Sequence, residues 1–349
     1  MSKKEYLDLE GLQTFKNTYD VKLAEEIANI NNELATRDAL IEELQEKVAT
    51  LEQPYVPLTY TTTSENEEVQ IAYINSYFSS VVVADTGEEL LDGTQSEDNA
   101  ASIPYTFAEA GEHTVYVKVI DTDNEDGLSY LFYNCTALTS VGGGLFKYAT
   151  SNISFAYTFY YCSSLTSVPE GLFASNTLVT NFSNTFYHCS SLASIPSGLF
   201  DNNTAVTTFA NTFQSCTSLT SIPSGLFDNN TLVTTFDHVF RYDSKLTTIP
   251  SGLFDNCTLV TIFQAAFGGC TSLTSIPSGL FANCPLVTTY YKAFQTCTSL
   301  TGETPVNSAG LKLWELAGTD GYPDSITGTD CFESCTGLDD YDEIDDDWK

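Results

Sequence analysis

The feature that most constrains this chain is a 27-residue repeat that runs from residue 132 to about residue 300. Phenylalanine recurs at positions 132, 159, 186, 213, 240, 267 and 294. The intervening residues follow F-x-x-C-x-S-L-T-S-I-P-S-G-L-F-D-N-x-T-x-V-T-T-F, with no insertion across six periods. Fixed self-similarity of about 20 to 50 residues is typical of solenoids, in which stacked units bury a shared core. The repeat therefore predicts a solenoid over residues 129–300.

One repeat is too small to fold alone. Its inward-facing residues are predicted to be Phe213, Cys216, Leu219, Ile222, Leu226, Phe227, Val233 and Phe236. Burial of each large apolar side chain contributes about 1.5 to 3 kcal/mol. Fixing the backbone costs about 1 to 2 kcal/mol per residue. Each unit therefore needs its neighbours.

Six of the ten cysteines follow the repeat. They are Cys135, Cys162, Cys189, Cys216, Cys270 and Cys297. Equivalent solenoid positions stack in a ladder, and free cysteine behaves as a small buried hydrophobe. We therefore expect buried free thiols rather than disulfides. In the unit at Phe240, Asp243 replaces the ladder cysteine and needs a partner or solvent.

Residues 23–52 show an apolar 3,4 spacing that predicts an α-helical coiled coil. The predicted seam consists of Leu23, Ile27, Ile30, Leu34, Arg37, Ile41, Leu44, Val48 and Leu51. The alternative is a single amphipathic helix packed on its own chain, for which the stripe is narrow. β-Branched residues at position a of the heptad favour a homodimer. Isoleucine at position d and Arg37 in the seam leave a homotrimer open.

Three further segments complete a multidomain organisation. Residues 1–22 lie outside the heptad register and are interpreted as an anchor segment. Residues 58–128 are rich in Thr, Val and Tyr with period-two patches, as in Thr114–Val119, which predicts a small antiparallel β domain. Residues 301–349 are interpreted as a degenerate capping repeat with an acidic tail.

The charge and hydropathy of the chain exclude several classes of partner. The formal net charge is -33, so the chain should repel nucleic acid and anionic lipid. No apolar stretch approaches the roughly 20 residues of a membrane span, and the N-terminus has no apolar core of signal-peptide type. We therefore expect no membrane insertion and no general secretion.

The sequence offers no catalytic, cofactor-binding or metal-binding motif. The three histidines are isolated, and no zinc-ligand spacing or phosphate loop occurs. Asp121–Gly127 has its glycine one place late for a calcium loop, and Phe132 stands where a bidentate glutamate is needed. We expect a solvated linker there, a solubilising cap in the acidic tail, and a protein that is not an enzyme.

Candidate binding residues are the exposed positions that vary while the repeat core stays fixed. They are Tyr160, Tyr161, Tyr187, His188, Gln214, Asp237, His238, Arg241, Tyr242, Tyr291, Lys292 and Gln295. Tyrosine supplies contact area at low entropic cost and is common in binding surfaces. The alternative is neutral drift on a solvated face.

The Phe, Cys and Leu-Thr-Ser positions of the array resemble BspA-like leucine-rich repeats of bacterial surface proteins. The N-terminal YLDLEGLQTF is similar to the opening of bacteriophage fibre proteins. Together these resemblances imply a virion fibre: an anchor to a head or tail protein, a stalk for which the fibre resemblance favours a homotrimer, and a repeat head.

The resulting functional hypothesis is a non-enzymatic fibre at the virion surface. Its repeat head would bind a bacterial surface glycan or protein. The alternatives are a structural capsid or tail decoration protein and a bacterial cell-surface adhesin.

Overall fold

The structure is a computed structural model that describes residues 28–29, 31–32, 34–37, 55–74, 78–83, 86–91, 101–119 and 127–349. By its internal contacts the chain divides into two units, Met1–Pro54 and Tyr55–Lys349. The second unit contains the β-strands and the repeat array.

The predicted N-terminal coiled coil is wrong. Within the described residues no helix reaches seven residues, and the longest helical run covers residues 34–37. A narrow apolar stripe stabilises a helix only when a second surface covers it. Leu34, a predicted a residue of the heptad, is 39% exposed. Of the three predicted components of the fold, the N-terminal helical coiled coil is therefore the one that the structure contradicts.

Only two predicted seam residues, Leu34 and Arg37, can be placed, and both are helical and exposed. The other seven lie outside the described residues: Leu23, Ile27, Ile30, Ile41, Leu44, Val48 and Leu51. The predicted anchor segment, residues 1–22, also lies outside them.

In the described part of the chain, seven strands precede or open the repeat array. They are β1 (Val56–Thr62), β2 (Glu67–Ile74), β3 (Phe78–Val83), β4 (Glu89–Leu91), β5 (Ala101–Phe107), β6 (Gly111–Val119) and β7 (Leu138–Val141). One sheet has the order β4-β3-β6-β1-β7, and a second pairs β2 with β5. All pairs are antiparallel. In β6, Val115, Val117 and Val119 are buried at alternate positions, as the period-two pattern requires.

The β-sheets cover the first edge of the array. Strand β7 belongs to the first repeat, yet it pairs with β1 through the register Leu58↔Val141. In addition, the Tyr73 amide donates to the Leu131 carbonyl at 2.8 Å. An unpaired edge would expose backbone donors and acceptors to other chains. The sheets therefore act as a cap that is continuous with the first repeat.

The C-terminal leucine-rich-repeat solenoid is confirmed. Each 27-residue unit forms one coil of the chain. Short parallel bridges join equivalent residues of successive coils, as in Asn181↔Thr208 and Thr208↔Thr235. Backbone amides also donate from coil to coil; the Phe186 amide, for example, lies 2.8 Å from the Thr212 carbonyl oxygen. Regular strands are therefore not needed to hold the coils together.

Three columns of aromatic rings fill the core. In the first, Phe159 stacks on Phe132 at 5.3 Å and on Phe186 at 5.4 Å between ring centroids. The second column starts at Phe155 and the third at Phe146, and both continue at the same period. These rings are buried. Removing one would leave a cavity between two neighbouring coils.

Buried polar side chains satisfy backbone carbonyls between coils. The Thr185 hydroxyl donates to the carbonyl of Phe155, 30 residues earlier, at 2.9 Å. The Cys189 thiol donates in the same way to Phe159 at 3.1 Å. Each such position needs a small side chain with a donor, because unpaired buried carbonyls are costly.

All ten cysteines are free and buried, and the predicted stacking of the cysteine ladder is confirmed. Two cysteines stand in a different column. Cys257 and Cys284 occupy the positions that Asn176, Asn203 and Asn230 fill in earlier coils, and their thiols point at the equivalent phenylalanine carbonyls of the preceding coils. Burial raises the pKa of Cys257 to about 12, so this thiol stays protonated.

The last coil is closed by the C-terminal tail. Three short 3-10 helices, Leu313–Glu315, Tyr341–Glu343 and Asp346–Trp348, lie in this region. The Phe332 amide donates to the Trp348 carbonyl at 2.8 Å. Asp340 is 7% exposed and binds the Lys312 ammonium at 2.6 Å and the Thr304 amide. Part of the acidic tail is thus structural rather than only solubilising.

We expect Asp340→Asn to destabilise the protein at neutral pH by about 1.5 to 3 kcal/mol, the contribution of hydrogen bonds to a charged group. Burial alone would raise the Asp340 pKa, but Lys312 and Thr304 hold it below its ordinary value. Its contribution is therefore present above the unfolded-state pKa of about 3.9 and is lost as pH falls below it. Thermal melts at pH 7 and pH 3 measure this. The same difference in melting temperature between variant and wild type at pH 7 and at pH 3 would contradict this prediction.

Asp243 is an exception in the cysteine ladder. It is 0% exposed, and neither carboxyl oxygen forms a hydrogen bond within the described part of the chain. Neighbouring thiols of Cys216 and Cys270 donate to carbonyls, which a carboxylate cannot do. Burial raises the pKa of Asp243 well above its ordinary value, which favours the neutral, protonated form of the carboxyl group.

We expect Asp243→Cys, which restores the residue of the neighbouring coils, to stabilise the protein at pH 7 by about 1 to 3 kcal/mol. Because the folded-state pKa of Asp243 is raised, its stability contribution is complete below the unfolded-state pKa of about 3.9. That contribution is lost as pH rises through the folded-state value. Denaturation of both proteins from pH 4 to 8 tests this. A difference in unfolding free energy between the two proteins that stays the same from pH 4 to pH 8 would contradict this prediction.

Candidate functional site

Each coil forms a turn around the phenylalanine that it contributes to the first aromatic column, which we call the ladder phenylalanine of that coil. The residues two before and two after the phenylalanine adopt left-handed backbone in every coil from Phe132 to Phe294, as in Tyr157 (φ 59) and Tyr161 (φ 59). This conformation is unfavourable for residues other than glycine. Hydrogen bonds between coils hold it here; the Tyr161 amide, for example, donates to the Tyr187 carbonyl at 2.8 Å. The same turn therefore recurs at the same place in every coil.

We define the variable face as the residues three and two before and one and two after each ladder phenylalanine, from Ser129 to Thr296. Eight of them are tyrosines: Tyr130, Tyr133, Tyr157, Tyr160, Tyr161, Tyr187, Tyr242 and Tyr291. Its charged residues are Asp237, Arg241 and Lys292. In a chain with a net charge of -33, this face is nearly neutral. Its Tyr, Asn, Gln and Ser content is typical of binding surfaces.

Tyrosine rings at the N-terminal end of this face stack on one another. Tyr160 lies 4.9 Å from Tyr133 and 4.6 Å from Tyr187, with interplanar angles of 4° and 13°. Alongside them, Tyr130 and Tyr157 stack at 4.7 Å. Burial, and then the surrounding tyrosines, raise the pKa of Tyr160 to about 12. The hydroxyl therefore stays protonated and remains a hydrogen-bond donor.

Three more side chains extend this stack. The ring of Tyr161 lies 4.4 Å from His188, and Tyr73 of β2 meets Tyr133 edge to face at 5.8 Å. We call the combined set the tyrosine cluster: Tyr73, Tyr130, Tyr133, Tyr157, Tyr160, Tyr161, Tyr187 and His188. It is half-exposed to exposed throughout.

Arg241 and Tyr242 form a second group on the variable face. The guanidinium lies over the Tyr242 ring at 4.5 Å and donates to its hydroxyl at 2.8 Å. The ring occupies the space above Gly269, where any Cβ would clash. In the same coil, Asp237 contacts His238. The absence of a side chain at Gly269 in the next coil thus leaves the space that the Tyr242 ring occupies.

The remaining predicted residues lie apart from the tyrosine cluster. Lys292 pairs with Asp330 at 3.7 Å and lies over the Tyr291 ring at 5.0 Å, while Gln295 binds Glu333. Gln214 is 7% exposed, although its position follows the same column as Tyr187. The structure therefore brings together Tyr160, Tyr161, Tyr187 and His188, and separates Tyr291, Lys292 and Gln295 from them.

The candidate residues predicted from the sequence omitted four members of the cluster. Tyr133 follows Phe132 as Tyr160 follows Phe159, and Tyr130 and Tyr157 share the column of His238. Tyr133 stands one repeat before Tyr160, and Tyr157 and Tyr130 stand three and four repeats before His238, so following both columns back to the first repeat would have identified all three. Tyr73 carried no such signal, because it lies on β2 and reaches the cluster only through the packing of the cap.

The opposite turns of the coils carry an acidic column instead. Around Asp228 and Asp255 they line a polar depression of about 410 Å³ together with serine and glycine residues. Among the described residues, no group of three or more His, Cys, Asp or Glu side chains is placed to hold a metal ion. The predicted linker at residues 121–126 lies outside the described residues. This side therefore offers no defined site.

Comparison with known proteins agrees with the coil architecture. The family described as BspA type leucine rich repeat region matches residues 126–234 and 190–303, in six copies. No curated protein matches the chain. Across the part of the chain that the structure describes, no helix has the length and apolar character required to cross a bilayer. Repeats of this kind serve protein interactions and are generally non-enzymatic. Since the match covers more than half of its length, the chain belongs to the BspA-type leucine-rich repeat family.

Proposed function

We propose that this protein is a non-enzymatic attachment protein that binds a receptor on a bacterial surface through the tyrosine cluster. Its repeats indicate a surface or adhesion type of repeat protein. The observation that carries the proposal is the contiguous stack of exposed rings, centred on Tyr160. Exposed aromatic patches of this kind mark interaction sites more often than scattered single residues do.

Preorganisation supports a binding role. The cluster rings are held by one another and by left-handed turns that every coil repeats. A ligand would therefore immobilise few additional side chains, and binding would lose little of its free energy to ordering. If these surface positions had changed by neutral drift, tyrosines would not be expected at the same position of several neighbouring coils.

The finer part of the proposal is display on a bacteriophage virion. It rests on the similarity of YLDLEGLQTF to the opening of fibre proteins, and residues 1–22 would attach to a head or tail protein. An adsorption assay with virions that carry or lack residues 129–349 tests it. Unchanged adsorption of the deleted virion would favour a structural decoration role instead.

We expect Tyr160→Ala combined with Tyr187→Ala to reduce binding of the full chain to bacterial cells at least about tenfold, since central aromatic residues dominate such interfaces. Flow cytometry with labelled protein measures this. The matched control is Tyr116→Ala, because Tyr116 is exposed on β6, away from the variable face. Equal binding by all three proteins, or no saturable binding to any strain, would refute the proposed function.

A further inference from the structure

The exposed aliphatic side chains of the repeat array lie in two adjacent columns. In the described residues from 55 to 349, every exposed leucine and isoleucine belongs to one of them. One column consists of Leu178, Ala205, Leu232, Leu259 and Leu286, and its four leucines are 41% to 55% exposed. The other stands two residues further along each coil and consists of Ile153, Thr180, Thr207, Thr234, Thr261 and Thr288. We call the two columns together the leucine face.

The backbone beneath the leucine face is extended and regular. The Thr234 amide donates to the Thr207 carbonyl of the preceding coil at 2.9 Å, and a parallel bridge joins Thr208 to Thr235 beside it. The Thr234 hydroxyl donates to the Thr207 carbonyl at 3.2 Å, and the Thr261 hydroxyl repeats this contact one coil later. These hydroxyl donors are therefore used within the chain, and the side chains of each column recur about every 4.8 Å, the spacing of paired strands.

The leucine face carries no charged residue, although the chain has a net charge of -33. Asp201, Asp228 and Asp255 lie in the turns that precede it, whereas Arg241 and Lys292 lie in the turns that follow it. A twofold axis between two facing copies, parallel to the direction of stacking, exchanges these two edges. The acidic edge of each copy then lies beside the opposite edge of its partner. Such an arrangement avoids the repulsion of like charges that face each other across an interface.

We propose that the leucine face is the interface of a homodimer. Facing sheets with the same repeat can interdigitate their side chains, and a twofold axis brings the same patch of both copies together. Five coils about 4.8 Å apart and five residues of about 3.3 Å each give a face of roughly 400 Å² per copy. Stable interfaces bury about 800 Å² per partner. The dimer is therefore weak and depends on protein concentration.

This dimer does not depend on the proposed function, but it bears on attachment. The tyrosine cluster lies in other positions of the coils than the leucine face, so each dimer carries two clusters. Two linked binding sites bind a surface with many receptors more strongly than one site does, provided that both can engage at once.

Sedimentation velocity of the full chain over about a hundredfold concentration range measures the association. We expect the wild type to shift reversibly from monomer to dimer. Leu232 lies in the middle coil of its column, and Leu232→Asp should weaken association at least about tenfold, because a central contact is replaced by a buried unpaired charge. The matched control is Thr220→Asp, which adds the same charge at an exposed position of the same coil outside the leucine face. It should associate within about twofold of the wild type.

A pair of opposite charges tests whether the partner is a second copy. Leu232→Lys should also associate poorly alone, whereas an equimolar mixture of Leu232→Asp and Leu232→Lys should recover dimers, since the twofold axis brings the two middle coils together. Thermal melts establish that each variant is folded. Absence of dimers in the wild type at every concentration, or no recovery in the mixture, would overturn the proposal. Association that Leu232→Asp leaves unchanged would also overturn it and would assign self-association to another part of the chain.

Discussion

The stacking of each coil on the next is the interaction on which the rest of this structure depends. Aromatic rings such as Phe159 and Phe186 lie one above the other, and buried donors such as the Thr185 hydroxyl reach the carbonyls of the preceding coil. No single coil buries enough apolar surface to fold. The two ends of the stack must consequently be closed, by the β-sheets at one side and by Lys312, Asp340 and Trp348 at the other.

The same constraint produces the candidate binding site. Because every coil repeats its left-handed turns, residues 27 apart in the chain are immediate neighbours on the surface. Tyr133, Tyr160 and Tyr187 are therefore ordered by the backbone beneath them rather than by a separate binding loop. A substitution at one position of one coil, such as Gln214 for tyrosine, changes the local shape without disturbing the fold. Such a surface can vary while its core is retained.

The sequence predicted the parts of the fold that depend on periodicity. Strict recurrence of Phe and Cys predicted the solenoid, the cysteine ladder and half of the tyrosine cluster, since register alone determines those neighbours. It did not reveal features that depend on tertiary packing. Tyr73 reaches the cluster from β2, Cys257 replaces an asparagine of another column, and Gln214 is buried at a position where tyrosines are exposed. The heptad spacing was misleading because apolar periodicity does not itself supply the surface that must cover it.

Hydrogen exchange of the full chain, followed by mass spectrometry, tests the stacking account most directly. Amides that donate between coils, including those of Phe159, Phe186, Phe213 and Phe240, should exchange slowly and as one cooperative class. Amides near the acidic turns at Asp201 and Asp228 should exchange faster. Exchange of the ladder amides at unprotected rates, or independent opening of single coils, would contradict the dependence of each coil on its neighbours.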